Sequence, residues 1–366
     1  MEKNKRIKYY SLKRIKALNA QYNMIIGERS NGKTYSVLYE ILQNYFKDKK
    51  QGAIVRRWQD DFKGKRALAM FAPLVTDGTV YKLSGGQWDR IDYRSGCWYP
   101  ARYDEETDTI IRGDDPIAWA FSLSSMEHDK STSYPNITTI CFDEFMTRGY
   151  YLVDEFVLFM NVVSTIVRQR MDVVIYMLGN TVTWNCPYFV EMGIKHVRNM
   201  QQGSIDVYEY GDSKLKVAVE YCRSIADSKP SNVYFAFDNP RLKMITSGAW
   251  EMAIHPHLPV KYKPKNIKGV FFIIFESDVL QCEVVHIDKD RFIYVHRKTT
   301  PIHDYDNDVI FTTENDYRMN HYQSLIRPRD NRTKVISFLI KNNKIYYQDN
   351  EVGEIVRNYR QNTDNM

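Results

Sequence analysis

One stretch constrains this chain more than any other: Gly27-Glu28-Arg29-Ser30-Asn31-Gly32-Lys33-Thr34, which fits the pattern GxxxxGK[ST] at every fixed position. Glycines at these places let the backbone curl so that its N–H groups point inward at phosphate oxygens. A helix that follows presents its positive end to the same anion. The flanks supply that context. Met24-Ile25-Ile26 is a short apolar run, and after Lys33 the residues Val37, Leu38, Ile41, Leu42 and Tyr45 fall on one helical face. In this arrangement Lys33 reaches the β- and γ-phosphates of a nucleotide and Thr34 ligates Mg²⁺. Glu28, Arg29, Ser30 and Asn31 line the loop; Arg29 is an extra cation that either touches the γ-phosphate or points to solvent.

A second signal lies about a hundred residues on. Thr138-Thr139-Ile140-Cys141-Phe142 is an apolar strand ending in Asp143-Glu144. Two acids often merely end a strand. Paired with the upstream loop, Asp143 holds the Mg²⁺ shell and Glu144 polarises an attacking water as general base. The apolar run Val173–Leu178 then leads into Gly179-Asn180-Thr181, so Asn180 lies at the ligand crevice of an open α/β sheet, as a γ-phosphate sensor or as a plain turn residue. Arg168 and Arg170 just precede that strand. One of them is a candidate for an arginine supplied to a neighbouring subunit's site; otherwise both cap a helix C-terminus, which favours cations. Lys130 is a weaker candidate for the same task.

Strand, loop, helix, strand from 23 to 57, hairpins over 78–120 with turns at Gly85-Gly86 and Ser95-Gly96, and a helix over 151–169 together predict a mostly parallel sheet flanked by helices. The texture changes near 200. A polar, helical stretch is expected to about 225, then Ser228-Lys229-Pro230-Ser231 as a break, then strands at Val270–Phe275, Cys282–Ile287, Phe292–Val295 and Val309–Thr312. Val335–Ile340 and Lys344–Tyr347 read as a hairpin around Asn342-Asn343. The expected domains are 1–200, 201–228 and 229–366.

Composition excludes several classes. No run approaches the ~18 apolar residues of a membrane helix, and the basic N-terminus is followed by no apolar segment, unlike a secretory signal. Five scattered cysteines without a CxxC pair argue against zinc and disulfides and favour a reducing cytoplasm. The net charge of +6 is a mild pointer to a polyanion, sharpened by clusters at Lys3–Lys16, Lys261/Lys263/Lys265/Lys268 and Arg327/Arg329/Arg332/Lys334.

These residues together resemble the DNA-packaging ATPases of phi29-like bacteriophages. The matching pieces are IIGERSNGKT, IVRRW at Ile54–Trp58, DKSTSYPNITTICFDEF from Asp129 to Phe145, STIVRQR at Ser164–Arg170, and LGNTVTWNCPYF at Leu178–Phe189. The resemblance implies an additional-strand, conserved-Glu P-loop ATPase domain, a small linker domain, and a β-rich C-terminal domain like a degenerate RNase H nuclease. It implies ATP and Mg²⁺ as cofactors, and a homopentameric ring that pushes double-stranded DNA into an empty capsid. The ring would act from the host cytoplasm at the portal vertex, away from any membrane, with a structural RNA as an open question. By motif position Arg168, rather than Arg170, is the trans-acting arginine, and Lys130 a second trans-acting basic residue. The competing readings are a cutting terminase and a P-loop switch or kinase without translocation. For the first, Glu276, Asp278, Asp288 and Asp290 are the available carboxylates, though they sit in stretches that also read as turns.

Overall fold

The apolar runs Met24–Ile26 and Ala53–Val55 are buried on both faces, the mark of strands inside a parallel sheet. In the computed structural model, which describes residues 9–128, 133–224, 250 and 253–364, the chain forms two compact units, Met1–Glu251 and Met252–Met366.

The first unit is built on a 10-stranded sheet. In chain order its strands are β1 (Tyr22–Gly27), β2 (Gln51–Arg56), β3 (Arg90–Arg94), β4 (Cys97–Asp104) and β5 (Thr109–Arg112). They are followed by β6 (Ala118–Ser122), β7 (Ile137–Asp143), β8 (Val174–Asn180), β9 (Ile205–Tyr210) and β10 (Leu215–Tyr221). The centre runs β6-β2-β7-β8-β1-β10, every neighbouring pair parallel. Antiparallel strands close both edges. Helix α1 (Lys33–Asp48) covers one face, with Val37, Leu38, Ile41, Leu42 and Tyr45 packed in one core with Ile25, Ile54 and Cys141. Helix α2 (Glu155–Val167) covers the other, its Phe159, Val162 and Ile166 sharing a core with Met24, Val55, Phe142 and Met177. Alternate residues of each strand thus serve opposite cores. Strand β8 lies between β1 and β7, so the loop strand and the acidic strand are separated by one additional strand. All three end on the same edge of the sheet.

Three expectations are corrected here. Gly85-Gly86 is not a hairpin turn: it follows a short helix at Thr79–Leu83, and the next strand begins only at Arg90. Residues 205–221, expected as a helical linker, are strands β9 and β10 of the first unit's sheet, and β10 pairs in parallel with β1. In β9 Val207 and Glu209 are exposed while Asp206, Tyr208 and Tyr210 are half-buried, the period-two alternation of a strand rather than the 3.6 of a helix. The segment 335–340, expected as a hairpin strand, lies in helix α3 (Asn331–Lys341). Asp330 caps it, accepting from Thr333 N–H, and Ile336, Leu339 and Ile340 are buried at helical spacing. Asn342-Asn343 therefore joins a helix to a strand. The Ser95-Gly96 turn does form, with φ of 51° and 79° across the β3–β4 hairpin, as two-residue hairpins require.

The second unit carries a 6-stranded sheet ordered β15-β14-β11-β12-β13-β16. Strands β11 (Ile267–Phe275), β12 (Asp278–Ile287) and β13 (Asp290–Arg297) are antiparallel. Strands β14 (Val309–Thr312) and β15 (His321–Tyr322) continue in parallel from β11, and β16 (Ile345–Tyr347) runs parallel to β13. Helix α3 and helix α4 (Asn350–Thr363) share its core, with Leu339, Val352, Ile355 and Tyr359 alongside Phe271, Leu280, Cys282 and Val295.

Candidate functional site

The loop between β1 and α1 is shaped by close backing on both sides. A Cβ on Gly27 would lie 2.8 Å from that of Cys222, just beyond β10, and one on Gly32 would lie 3.1 Å from Tyr9 Cβ. Gly32 has φ 95° and serves as N-cap of α1 without a side-chain cap bond of its own; the Lys33 N–H donates to Asn31 Oδ1 at 3.3 Å, and the positive end of the helix faces the loop where an anion would sit. Lys33 is buried and folds back over the loop. Its Nζ donates to the carbonyls of Glu28 (2.7 Å) and Gly27 (3.3 Å), to Asn31 Oδ1 (3.2 Å) and to Asn180 Oδ1 (3.4 Å). The side chain of Glu28 turns inward, accepting from Ser224 Oγ at 3.2 Å. Arg29 is exposed at the rim of the cleft.

The acidic pair converges on the same place. Asp143 ends β7 and accepts from Thr34 Oγ1 at 3.0 Å. Burial raises its carboxyl above the usual range against the opposing pull of Arg56, and the charge of Glu144 pushes the same way as burial. Arg56, the last residue of β2, forks across both acids, with Nη2 2.7 Å from Asp143 Oδ2 and Nη1 2.7 Å from Glu144 Oε2. Glu144 has φ 61°, a left-handed backbone that non-glycine residues seldom adopt, and its side chain is 61% exposed, facing outward where a water molecule can reach it. Lys33, Thr34, Arg56, Asp143, Glu144 and Asn180 line one cleft of about 400 Å³. Ser30, Gly32 and Tyr35 also border a larger groove of about 1050 Å³, walled by Tyr9 and Tyr10 on one side and by Tyr39 of α1 on the other.

The remaining expected residues separate. Arg168 caps the C-terminal end of α2 and is exposed. That helix returns the chain to the start of β8, so Arg168 lies at the edge of the sheet opposite Asn180, roughly 20 Å away by the length of one strand. It does not line the cleft of its own chain. Arg170, a catalytic candidate from sequence, is committed elsewhere: its guanidinium donates to the carbonyls of Pro135 (2.6 Å), Ile137 (2.6 Å) and Ile166 (3.0 Å). Lys130 lies outside the described residues. Arg56 belongs to the acidic pair, and Arg57 is buried in a salt bridge with Glu155. The signal for Arg56 was available, since a polar residue ending a central parallel strand lies at the ligand edge. Among the described residues no group of three or more His, Cys, Asp or Glu is placed to hold a metal ion. A hydroxyl beside a carboxylate, as in Thr34 and Asp143, is nonetheless the hard-oxygen pair that Mg²⁺ accepts alongside phosphate oxygens and water.

Fold and site define a P-loop nucleotide-binding protein of the additional-strand class, with an acidic pair on the strand beyond. Residues 109–361 match the Podovirus DNA encapsidation protein (Gp16) family. The chain belongs to that family. It is 28% identical over 177 residues to the DNA packaging protein of Bacillus phage B103, and 25% identical over 191 residues to that of Bacillus phage phi29. The chain spans about half the length of these curated relatives, 48% and 49% respectively. Two solved structures share its fold at 18% identity. One is a chain of the bacteriophage phi29 genome packaging motor assembly, with TM-score 0.55, covering 96% of this chain and 99% of that one. The other is the phi28 gp11 packaging motor, with TM-score 0.52, covering 97% and 98%. The family match begins at residue 109, so the loop at Gly27–Thr34 is carried by its geometry rather than by that match.

Proposed function

We propose that this chain hydrolyses ATP to drive double-stranded DNA into a viral procapsid. The observation that carries the hydrolytic part is the convergence of Lys33, Thr34, Asp143, Glu144 and Asn180 on one cleft. Phosphate oxygens entering there exchange with the loop carbonyls that Lys33 now contacts. Thr34 and Asp143 would hold Mg²⁺, which neutralises charge on the β- and γ-phosphates. Glu144 takes the proton of the attacking water, Asn180 and Arg56 orient the γ-phosphate side, and the adenine base extends into the tyrosine-walled groove. A switch or kinase has no use for a carboxylate at the position of Glu144, which favours hydrolysis. Placement of Arg168 on the far edge of its own sheet supports an arginine acting on a neighbouring subunit, hence a ring, which we read as a pentamer at a procapsid portal in the host cytoplasm, with a structural RNA still an open question. Among the described residues no helix is long and apolar enough to cross a membrane.

The second unit is read as an RNase H-like DNA-binding domain. Three antiparallel strands, β13-β12-β11, extended by parallel β14 and β15, support that reading. The four carboxylates considered for cleavage do not converge: Glu276 and Asp278 sit at the β11–β12 turn, Asp288 and Asp290 at the β12–β13 turn, at opposite ends of a 10-residue strand. Two-metal cleavage needs them within ~4 Å metal spacing. Of the basic clusters, the one at 261–268 supports phosphate contact better. Lys268 and Arg291 add to burial in lowering the pKa of His286, a sign of a cationic patch. The other is partly neutralised, with Arg332 3.4 Å from Asp330. ATP turnover measured with and without duplex DNA, alongside particle images of the assembled state, tests the whole reading; turnover indifferent to DNA and a monomeric particle would sink it.

A further inference from the structure

Arg56 and Arg57 are consecutive, yet they treat the acidic pair in opposite ways. Arg56 grips the side chains of Asp143 and Glu144 from the cleft. Arg57 grips the backbone of the same loop from beneath: Nη2 donates to Phe145 O at 2.8 Å and Nη1 to Glu144 O at 3.4 Å. Those carbonyls belong to the residue with φ 61° and its successor. A left-handed glutamate persists only where its surroundings over-determine it.

The guanidinium is itself fixed. Glu155, the first residue of α2, takes Arg57 Nε at 2.6 Å and Nη2 at 2.8 Å on its two carboxylate oxygens. The same oxygens accept from Leu152 N–H (2.8 Å) and Tyr188 Oη (2.9 Å), and the Tyr151 ring lies 5.0 Å from the guanidinium carbon. Both charged groups are buried, Arg57 at 6% and Glu155 at 2% exposure. A buried ion pair of this kind is a poor device for stability alone, since apolar side chains of similar volume commonly do as well. What it supplies that apolar groups cannot is a pair of directed N–H donors at the backbone of Glu144 and Phe145.

We infer that Arg57 is the positioning residue for Glu144, and that Glu155 is its anchor. The inference rests on Glu144 being the base. Arg57 sets where the Glu144 carboxylate hangs relative to the attacking water, leaving nucleotide affinity to Lys33, Thr34 and Asp143.

The test uses the full chain with three changes: Arg57→Lys, the apolar exchange Arg57→Met with Glu155→Leu, and Glu144→Gln for reference. Melting temperature, affinity for a non-hydrolysable ATP analogue with Mg²⁺, and kcat are measured for each. The apolar exchange should melt at or above the parent temperature and bind the analogue within about threefold, while kcat falls ~10²-fold, the scale of a 1 Å misplacement. Arg57→Lys, with a single ammonium nitrogen in place of a planar fork, should lose roughly tenfold in kcat and little affinity. Parental kcat in the apolar exchange would make the pair structural only and overturn the inference. If that protein fails to fold, Arg57→Lys decides: kcat within twofold of the parent overturns it. A Glu144→Gln protein that turns over normally would remove the base itself, a different failure from an inert Glu144→Gln beside a fully active apolar exchange.

Discussion

The two sheets dispose of their charged residues differently. In the first unit, parallel strands β2, β7, β8 and β1 all end on one edge, so Arg56, Asp143, Asn180 and the loop after Gly27 meet although they are far apart in sequence. In the second, antiparallel hairpins send Glu276 and Asp278 to one end and Asp288 and Asp290 to the other. Strand-end carboxylates thus become a site in one unit and are dispersed in the other, where Asp278 pairs with Arg297 at 2.6 Å and Glu276, Asp288 and Asp290 are exposed. The lesson is that acids at strand ends carry chemistry only when strand direction gathers them.

The sharpest way to break this comparison is to remove one acid from each unit. Glu144→Gln should keep nucleotide binding and lower kcat by ~10²–10⁴, the scale of general-base catalysis, whereas Asp278, Asp288 and Asp290 changed together to Asn should leave ATP turnover intact. Steady-state hydrolysis with analogue binding in parallel reads both; equal losses would erase the distinction. Next in size is Arg168→Ala, expected to lose ~10³ in hydrolysis while binding nucleotide. Mixed with Glu144→Gln subunits it should recover part of the activity, because the two defects lie at opposite edges of one sheet. Confirmed mixed rings without recovery would return Arg168 to a helix cap.

Smaller effects belong to the second unit. Neutralising Lys263, Lys265 and Lys268 should flatten the salt dependence of duplex binding by about 0.9 for each phosphate no longer engaged, alike for unrelated sequences. A change confined to one sequence would argue for base readout. Smallest is Asp330→Ala, which removes the cap of α3 and should destabilise this unit by ~1 kcal/mol without altering hydrolysis. Slight burial acts to raise the pKa of Asp330, but the Thr333 N–H and Tyr322 hydroxyl hold it well below the carboxylate range. A depressed folded pKa means stability present above about pH 4 and lost as pH falls through the folded value. Acid unfolding of the parent and the variant should therefore converge at low pH.

What was legible in the sequence follows the range of the interactions. Gly27 to Thr34 and the apolar strand into Asp143-Glu144 announce themselves because each is contiguous and its chemistry fixes its spacing. Asn180 was legible by the same strand-end rule. Arg57 was not, because its partner Glu155 lies 98 residues away and an Arg-Arg pair at a strand end reads as surface. Residues 335–340 misled because a dense apolar run hides its period; the Asp330-to-Thr333 cap, three residues apart, was the cue that would have settled it. Arg170 shows the converse: the right residue type beside the right strand, occupied in holding carbonyls of the β7 entry.

The placement of β10 bears on how the protein is made. The loop strand β1 is flanked by β8 on one side and β10 on the other, and Cys222 backs Gly27 directly. A ribosome adding 5–20 residues per second needs roughly 10–40 s after releasing Gly27 before Tyr221 follows. Until then the strand that carries the phosphate loop has one open flank, and the growing chain holds an incomplete nucleotide pocket. A fragment cut at residue 200 would keep that open flank permanently, so an excised first unit should be soluble and bind nucleotide only when it runs past Cys222.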